Sequence, residues 1–173
     1  MIYSLVLTGT CGSGKTTISK LLASEASWKR ISEDDIWKKC FGKNRGTFGS
    51  DEHRNKRRQI HQIVFTEILS GSNENPFIVI DATVHESPPE AYYEYKEFFE
   101  NHNINWQLCV LHPRLEIAIK RDSERPEWVA GPERVKKLRA KFNRAVFPQE
   151  CFVDNSDDTP QQTMKRIIQL CTA

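Results

Sequence analysis

The chain has 173 residues, 28% of them charged and 38% hydrophobic, with a net charge of +2. That length suits one domain, residues 1–173, with a single sizeable core. The near-balance of charge casts no vote for a nucleic-acid or membrane surface, and the strand-length apolar stretches leave no transmembrane span. Because the N-terminus opens directly on a core strand, no room is left for a signal peptide. Five cysteines (Cys11, Cys40, Cys109, Cys151 and Cys171) contain no C-x-x-C pair. They fit reduced cytoplasmic thiols rather than a disulfide frame or a zinc site.

Taken in order, Ile2 to Leu7 is a short apolar run that predicts a buried strand. A glycine-rich turn follows, then a helix with Ile18, Leu21 and Leu22 on one face. Lys29 to Ser32 predicts a second strand, ending in Glu33-Asp34-Asp35, and Ile36, Trp37 and Cys40 mark one or two helical turns. Phe41 to Gly49 reads as a loop. Ser50 is placed to cap a helix over about 51–69, with Ile60, Val64, Phe65, Ile68 and Leu69 on its core face. A turn over 71–76 precedes a third strand, Phe77 to Ile80, which ends in Asp81. Pro88-Pro89 opens a helix carrying Tyr92, Tyr95 and Phe99; Trp106 to Leu111 is a fourth strand, and Leu115 to about Arg121 a helix. The stretch 123–131 is irregular, and Pro132 opens a helix with Val135, Leu138 and Phe142 on one side. Cys151 to Val153 predicts a fifth strand, and Thr159-Pro160-Gln161-Gln162 fits a capping box that opens the last helix.

Apolar strands alternating with helices predict an α/β fold in three layers, a parallel five-stranded sheet with helices on both faces. Ligands in such folds collect at the carboxyl ends of the strands.

At the end of the first strand, Gly9, Gly14, Lys15 and Thr16 fill the pattern G-x-x-x-x-G-K-[ST], with Cys11, Gly12 and Ser13 between them and Thr17 after. Backbone N–H groups that converge on phosphate oxygens need conformations glycine reaches without penalty. Lys15 brings positive charge to the β- and γ-phosphates, the Thr16 hydroxyl is a Mg²⁺ ligand, and the next helix aims its positive end at the same anion. The pattern sits between a predicted strand and a predicted helix, the context a nucleotide loop requires.

The strand ends supply the other candidates. Asp34 is placed to orient an acceptor hydroxyl and take its proton. Ser32-Glu33-Asp34-Asp35 also fits a helix N-cap with an acidic first turn, and both roles are compatible. Asp81 is placed to hold a Mg²⁺-bound water or fix an arginine, with an ordinary turn aspartate as the alternative. Thr83 and His85 follow it toward an acceptor pocket. Arg121 and Arg125 share one helix face if the helix continues that far, and Arg125 opens a lid over 123–131. The basic run Arg54, Lys56, Arg57 and Arg58 fits either an anionic acceptor or a solvated face.

In this order the motifs resemble the small P-loop kinases that include the kinase domain of phage polynucleotide 5′-hydroxyl kinase. Chloramphenicol phosphotransferase and the zeta toxins are more distant relatives. Gly12-Ser13-Gly14-Lys15-Thr16-Thr17 is similar to the family's phosphate loop, Ile31-Ser32-Glu33-Asp34-Asp35 to its acidic motif, and Ile80-Asp81-Ala82-Thr83 to its third-strand segment. Lys120 to Arg125 looks like the start of its lid. The resemblance implies a nucleoside-monophosphate-kinase-like fold with a short lid, ATP and Mg²⁺, Asp34 as general base and Arg125 on the phosphates. It also implies Arg121 against the nucleotide base and Asp154-Asn155-Ser156 as the adenine-side loop. Where the polynucleotide kinase carries an arginine to grip the acceptor's phosphate, this chain has Trp37, followed by Lys38; an aromatic there stacks on a base or sugar, or fills the core. Asp35, Trp37, Asp81 and Thr83 are thus the expected acceptor side, with a nucleic-acid 5′-end or a small metabolite as acceptor. A nucleotide-binding regulator that hydrolyses ATP slowly and acts through a protein partner is the second reading.

Overall fold

The structure, a computed structural model, describes residues 2–42, 44, 46–47, 49–70, 76–84, 90–126, 128–144 and 147–172. Five parallel strands form one sheet in the order β2-β3-β1-β4-β5: β1 Tyr3–Gly9, β2 Lys29–Ser32, β3 Phe77–Asp81, β4 Asn105–Leu111 and β5 Phe152–Val153. Among the described residues seven α-helices connect and cover them: α1 Lys15–Glu25, α2 Glu33–Phe41, α3 Asp51–Ser70, α4 Glu90–Asn101, α5 Leu115–Ser123, α6 Pro132–Phe142 and α7 Pro160–Thr172. The expected α/β sandwich is present.

Alternation along β1 divides the core. Leu5 and Leu7 point into a cluster with Ile18 and Leu22 of α1 and Met164 and Ile167 of α7. Val6, on the opposite face, joins Ile60, Val64 and Ile68 of α3 and Tyr95 and Phe99 of α4. Each such aliphatic side chain, taken wholly out of water, stabilises the fold by roughly 1.5–3 kcal/mol.

The local capping signals act where the residue types require. Ser50 Oγ accepts from the His53 amide at 3.2 Å. Thr159 Oγ1 accepts from the Gln162 amide at 3.2 Å while Gln162 returns its side-chain oxygen to the Thr159 amide at 2.8 Å, a reciprocal capping box.

Three expectations change. The one or two turns around Ile36 are a nine-residue helix, α2, because Ser32 caps it through the Asp35 amide and the acidic first turn suits its positive end. Cys151 belongs to a 3₁₀ turn, Gln149–Cys151, that precedes a two-residue β5. Helix α5 stops at Ser123, so Arg125 lies beyond it and does not share a helical face with Arg121. Residues 71–75 of the turn expected over 71–76, Pro88-Pro89, His85 and part of the 41–49 loop lie outside the described residues. None of the five cysteines is bridged. Among the described residues no helix is long and apolar enough to cross a membrane.

β1 is flanked by β3 on one side and β4 on the other. From β1 the chain runs through α1 to β2 at one edge, and from the neighbouring β4 it runs the other way to β5, so the crevice at the carboxyl ends of β1 and β4 is where such folds bind ligands.

Candidate active site

Gly9 closes β1, and with Gly12 and Gly14 it adopts positive φ, at +147°, +73° and +98°. A Cβ on Gly9 would lie 2.4 Å from the Leu111 carbonyl oxygen, and one on Gly12 only 2.0 Å from that of Ala118. The loop is thus pressed against the end of β4 and against α5, which only glycine permits. Lys15 Nζ donates to the carbonyls of Gly9 at 2.8 Å and Thr10 at 3.3 Å, drawing its charge over the loop. Ser13 is buried beneath, Cys11 is half-buried, and Thr16 and Thr17 are exposed at the start of α1. No side chain caps that helix, so its first-turn N–H groups are directed to whatever the loop binds.

The loop after β5 clasps this structure. Asn155, 3% exposed, donates its side-chain amide to the Ser13 carbonyl at 3.0 Å. Arg121 donates to the carbonyls of Asn155 at 3.0 Å and Ser156 at 3.3 Å. Phosphate loop, α5 and the turn after β5 therefore form one assembly. Within that turn Asp154 accepts from the hydroxyl and amide of Ser156, which hold its carboxyl below the usual range.

The acidic side is organised by an arginine that the sequence analysis did not single out. Arg30 of β2 donates to Asp81 at 3.1 Å, to Asp35 at 3.0 Å and to Ser19 Oγ at 2.9 Å. Ser19 in turn donates to Asp81 at 3.1 Å. Asp81 is 8% exposed, so its carboxylate needs these partners. Asp35 is mostly exposed; slight burial would raise its carboxyl, but the bonds from Arg30 and Ser32 outweigh this and hold it low. The signal for Arg30 was a cation in the middle of a strand. Its partner became visible only once β2 was known to lie beside β3, with Arg30 opposite Val79.

Asp34 is exposed on the first turn of α2, and Thr83 is exposed after β3 with its amide donating to Glu33 Oε2 at 2.7 Å. Trp37 corrects an expectation. It is 7% exposed and belongs to the core, with its ring 5.5 Å from both Phe41 and His53. The surface expected to stack on an acceptor is taken up by the packing of α2 against α3. The basic run disperses as well: Arg54 pairs with Asp51, Lys56 with Glu52, Arg57 with Glu90, and Arg58 lies 3.9 Å from Glu94.

The stretch 123–131 is anchored at both ends by one carboxylate. Asp122, 1% exposed at the end of α5, accepts from the Gly131 amide at 2.9 Å and from Arg125 at 3.4 Å. The Arg125 guanidinium also lies 5.4 Å from the centre of the exposed Trp128 ring, which Arg134 approaches at 5.9 Å.

The family described as AAA domain matches residues 5–148, from β1 through α6. The chain belongs to the AAA domain family. No curated protein matches it. Among solved structures this AAA domain is similar to a sugar kinase from Janibacter sp. HTCC2649, with a TM-score of 0.65 and 19% identity over 98% of this chain and 94% of that one. It is likewise similar to the Mycobacterium tuberculosis APS kinase CysC in complex with AMPPNP and APS, with a TM-score of 0.66 and 14% identity over 99% and 98%. A chain of the Pnkp1/Rnl/Hen1 RNA repair complex aligns with a TM-score of 0.59 and 21% identity over 83% of this chain. The match spans only 44% of that longer chain. At these identities the likeness is one of fold, that of the small P-loop kinases.

Proposed function

We propose that the protein is an ATP-dependent phosphotransferase that moves the γ-phosphoryl group of ATP to a hydroxyl acceptor. The observation that carries this reading is the meeting, on one rim of the sheet, of an uncapped helix N-terminus, a glycine loop bearing Lys15, and a carboxylate side made of Asp34, Asp35 and Asp81. The loop suits a triphosphate, since the positive φ of Gly9, Gly12 and Gly14 is the kind of backbone conformation that lets successive N–H groups turn toward an anion. Its similarity to kinases of sugars and APS supports the same chemistry.

In this reading the loop amides and Lys15 would hold the phosphates, and Asn155 and Arg121 would form the base side. The Thr16 hydroxyl is suited to Mg²⁺, a hard cation that when bound offsets charge on the phosphates, and Asp81, held by Arg30 and Ser19, would take one of the cation's waters. Asp34 would orient the acceptor hydroxyl and receive its proton, an exposed carboxylate being accessible to substrate. Arg125, on a segment tethered at Asp122, would compensate charge on the transferred group while the segment excludes water.

The test is transfer of labelled γ-phosphate with Mg²⁺ to a 5′-hydroxyl oligonucleotide and to a panel of small alcohols including nucleosides, sugars and aminoglycosides. Transfer that is abolished in Asp34→Ala, with ATP affinity retained, is the expected outcome. Unchanged ATP turnover in Asp34→Ala, with no acceptor labelled, replaces the reading with that of a regulator acting through a protein partner.

A further inference from the structure

Glu33, next to the proposed base, is 8% exposed and has both oxygens engaged. Oε2 accepts from the Thr83 amide at 2.7 Å; Oε1 accepts from the Tyr95 hydroxyl at 2.7 Å and lies 3.3 Å from Nε2 of His61, an ion-pair distance without hydrogen-bond alignment. His61 is 1% exposed, and its Nδ1 bonds to Glu94 Oε2. A neutral imidazole has one N–H and would turn a lone pair toward one of the two carboxylates; only the imidazolium satisfies both.

We propose that Glu33, His61 and Glu94 form one positioning unit for the acceptor side of the site. In that unit Glu33 sets the turn after β3 and the start of α2, and the His61 ring holds α3 and α4 against it. The inference rests on the phosphotransferase reading for its functional consequence. Two elements reach this ring directly, α2 through Glu33 and α4 through Glu94 and Tyr95, and the turn after β3 joins them through the Thr83 amide on Glu33. Arg58 near Glu94, and Arg57 paired with Glu90, complete the surrounding charges. The unit stands on the β2–β3 side of the sheet, whereas Asn155 and Arg121 clasp the phosphate loop on the β4–β5 side. It therefore governs Asp34 and Thr83 rather than the nucleotide. Burial alone would lower the His61 pKa, but the two carboxylates outweigh it and raise it to about 9. A buried ion pair is weak evidence of stabilisation by itself, whereas fixing one geometry is a use that three converging elements would require.

The test uses the full chain with His61→Gln, and with Glu94→Gln, which removes only the outer, partly exposed carboxylate and spares the core. Three quantities are read: acceptor KM, ATP Kd, and hydrogen exchange at the Thr83 and Val84 amides. Loss of one charged hydrogen bond should raise acceptor KM by about tenfold and speed exchange at Thr83, with ATP Kd unchanged. In Glu94→Gln the His61 imidazole should titrate at lower pH by NMR; acceptor KM, expected to rise in the wild-type protein as the imidazolium loses its proton near pH 9, should then rise at correspondingly lower pH. Acceptor KM and ATP Kd rising together, or neither KM nor Thr83 exchange moving, overturns the proposal. If the wild-type protein labels no acceptor, the phosphotransferase reading has failed, and exchange still decides the unit. Faster exchange at Thr83 and Val84 with that of Gly12 to Thr16 unchanged sustains it, and uniform or absent change overturns it.

Discussion

Asn155 and Ser13, 142 positions apart in sequence, are joined by a buried hydrogen bond of 3.0 Å that ties the turn after β5 to the phosphate loop. In the proposed function, nucleotide affinity should therefore depend on a residue far from the loop motif. Asn155→Ala leaves the Ser13 carbonyl without this donor, and ATP Kd should rise roughly tenfold, the scale of one buried hydrogen bond. Calorimetric titration with ATP checks this; unchanged affinity would make the clasp irrelevant to binding.

Arg30 is the charge partner of Asp81. Arg30→Met leaves that carboxylate buried with Ser19 as its remaining described hydrogen-bond donor. Because the Arg30 side chain is 18% exposed, the destabilisation should fall short of a fully buried pair, at about 1–3 kcal/mol. Bound Mg²⁺ with nucleotide should restore part of it. Thermal melts of the variant with and without both ligands measure the deficit, and an equal deficit in the two conditions removes Asp81 from the proposed metal site.

Gly12 and Gly14 both have positive φ but differ in surroundings. A methyl group at 12 meets the Ala118 carbonyl at 2.0 Å, whereas one at 14 meets nothing nearer than Asn155 Nδ2 at 3.7 Å. Gly14→Ala should carry only conformational strain, about 1–2 kcal/mol. Gly12→Ala must also push the loop from α5, and should weaken ATP binding by roughly tenfold or more beyond Gly14→Ala. Parallel ATP titrations of the two variants test the ranking.

His61 makes stability depend on pH at the alkaline end. Its folded pKa lies above the unfolded value, so its contribution is full below pH 6.5 and is lost as pH rises through about 9. Glu33 and Glu94 act in the opposite sense. Burial would raise both, but His61 outweighs it and lowers them, so their contribution is present above 4.5 and lost as pH falls through their lowered values. Melting temperature should therefore fall between about pH 6.5 and 9 in the wild-type protein, with that fall reduced in His61→Gln. A pH series of melts on both proteins decides it.

What could be read from the chain alone was local. β1, the phosphate loop and the caps at Ser50 and Thr159 each depend on residues within a few positions of one another, where backbone preference and hydrogen-bonding reach act directly. The alternation of apolar strands with helices likewise carried the α/β class. Partners set by sheet order were beyond that reach. Arg30 finds Asp81 because β2 lies beside β3, and Asp122 gathers Arg125 and Gly131 because the chain after α5 folds back on its end. Trp37 had two readings in sequence, a stacking surface or core. Packing of α3 over α2 decided for the core, because the apolar area of an indole is most stable out of water. The residue types and their spacing determined where the glycine loop and Lys15 would stand. Which charges meet around Glu33 and Asp81 was determined only when strands and helices from distant parts of the chain were brought against one another.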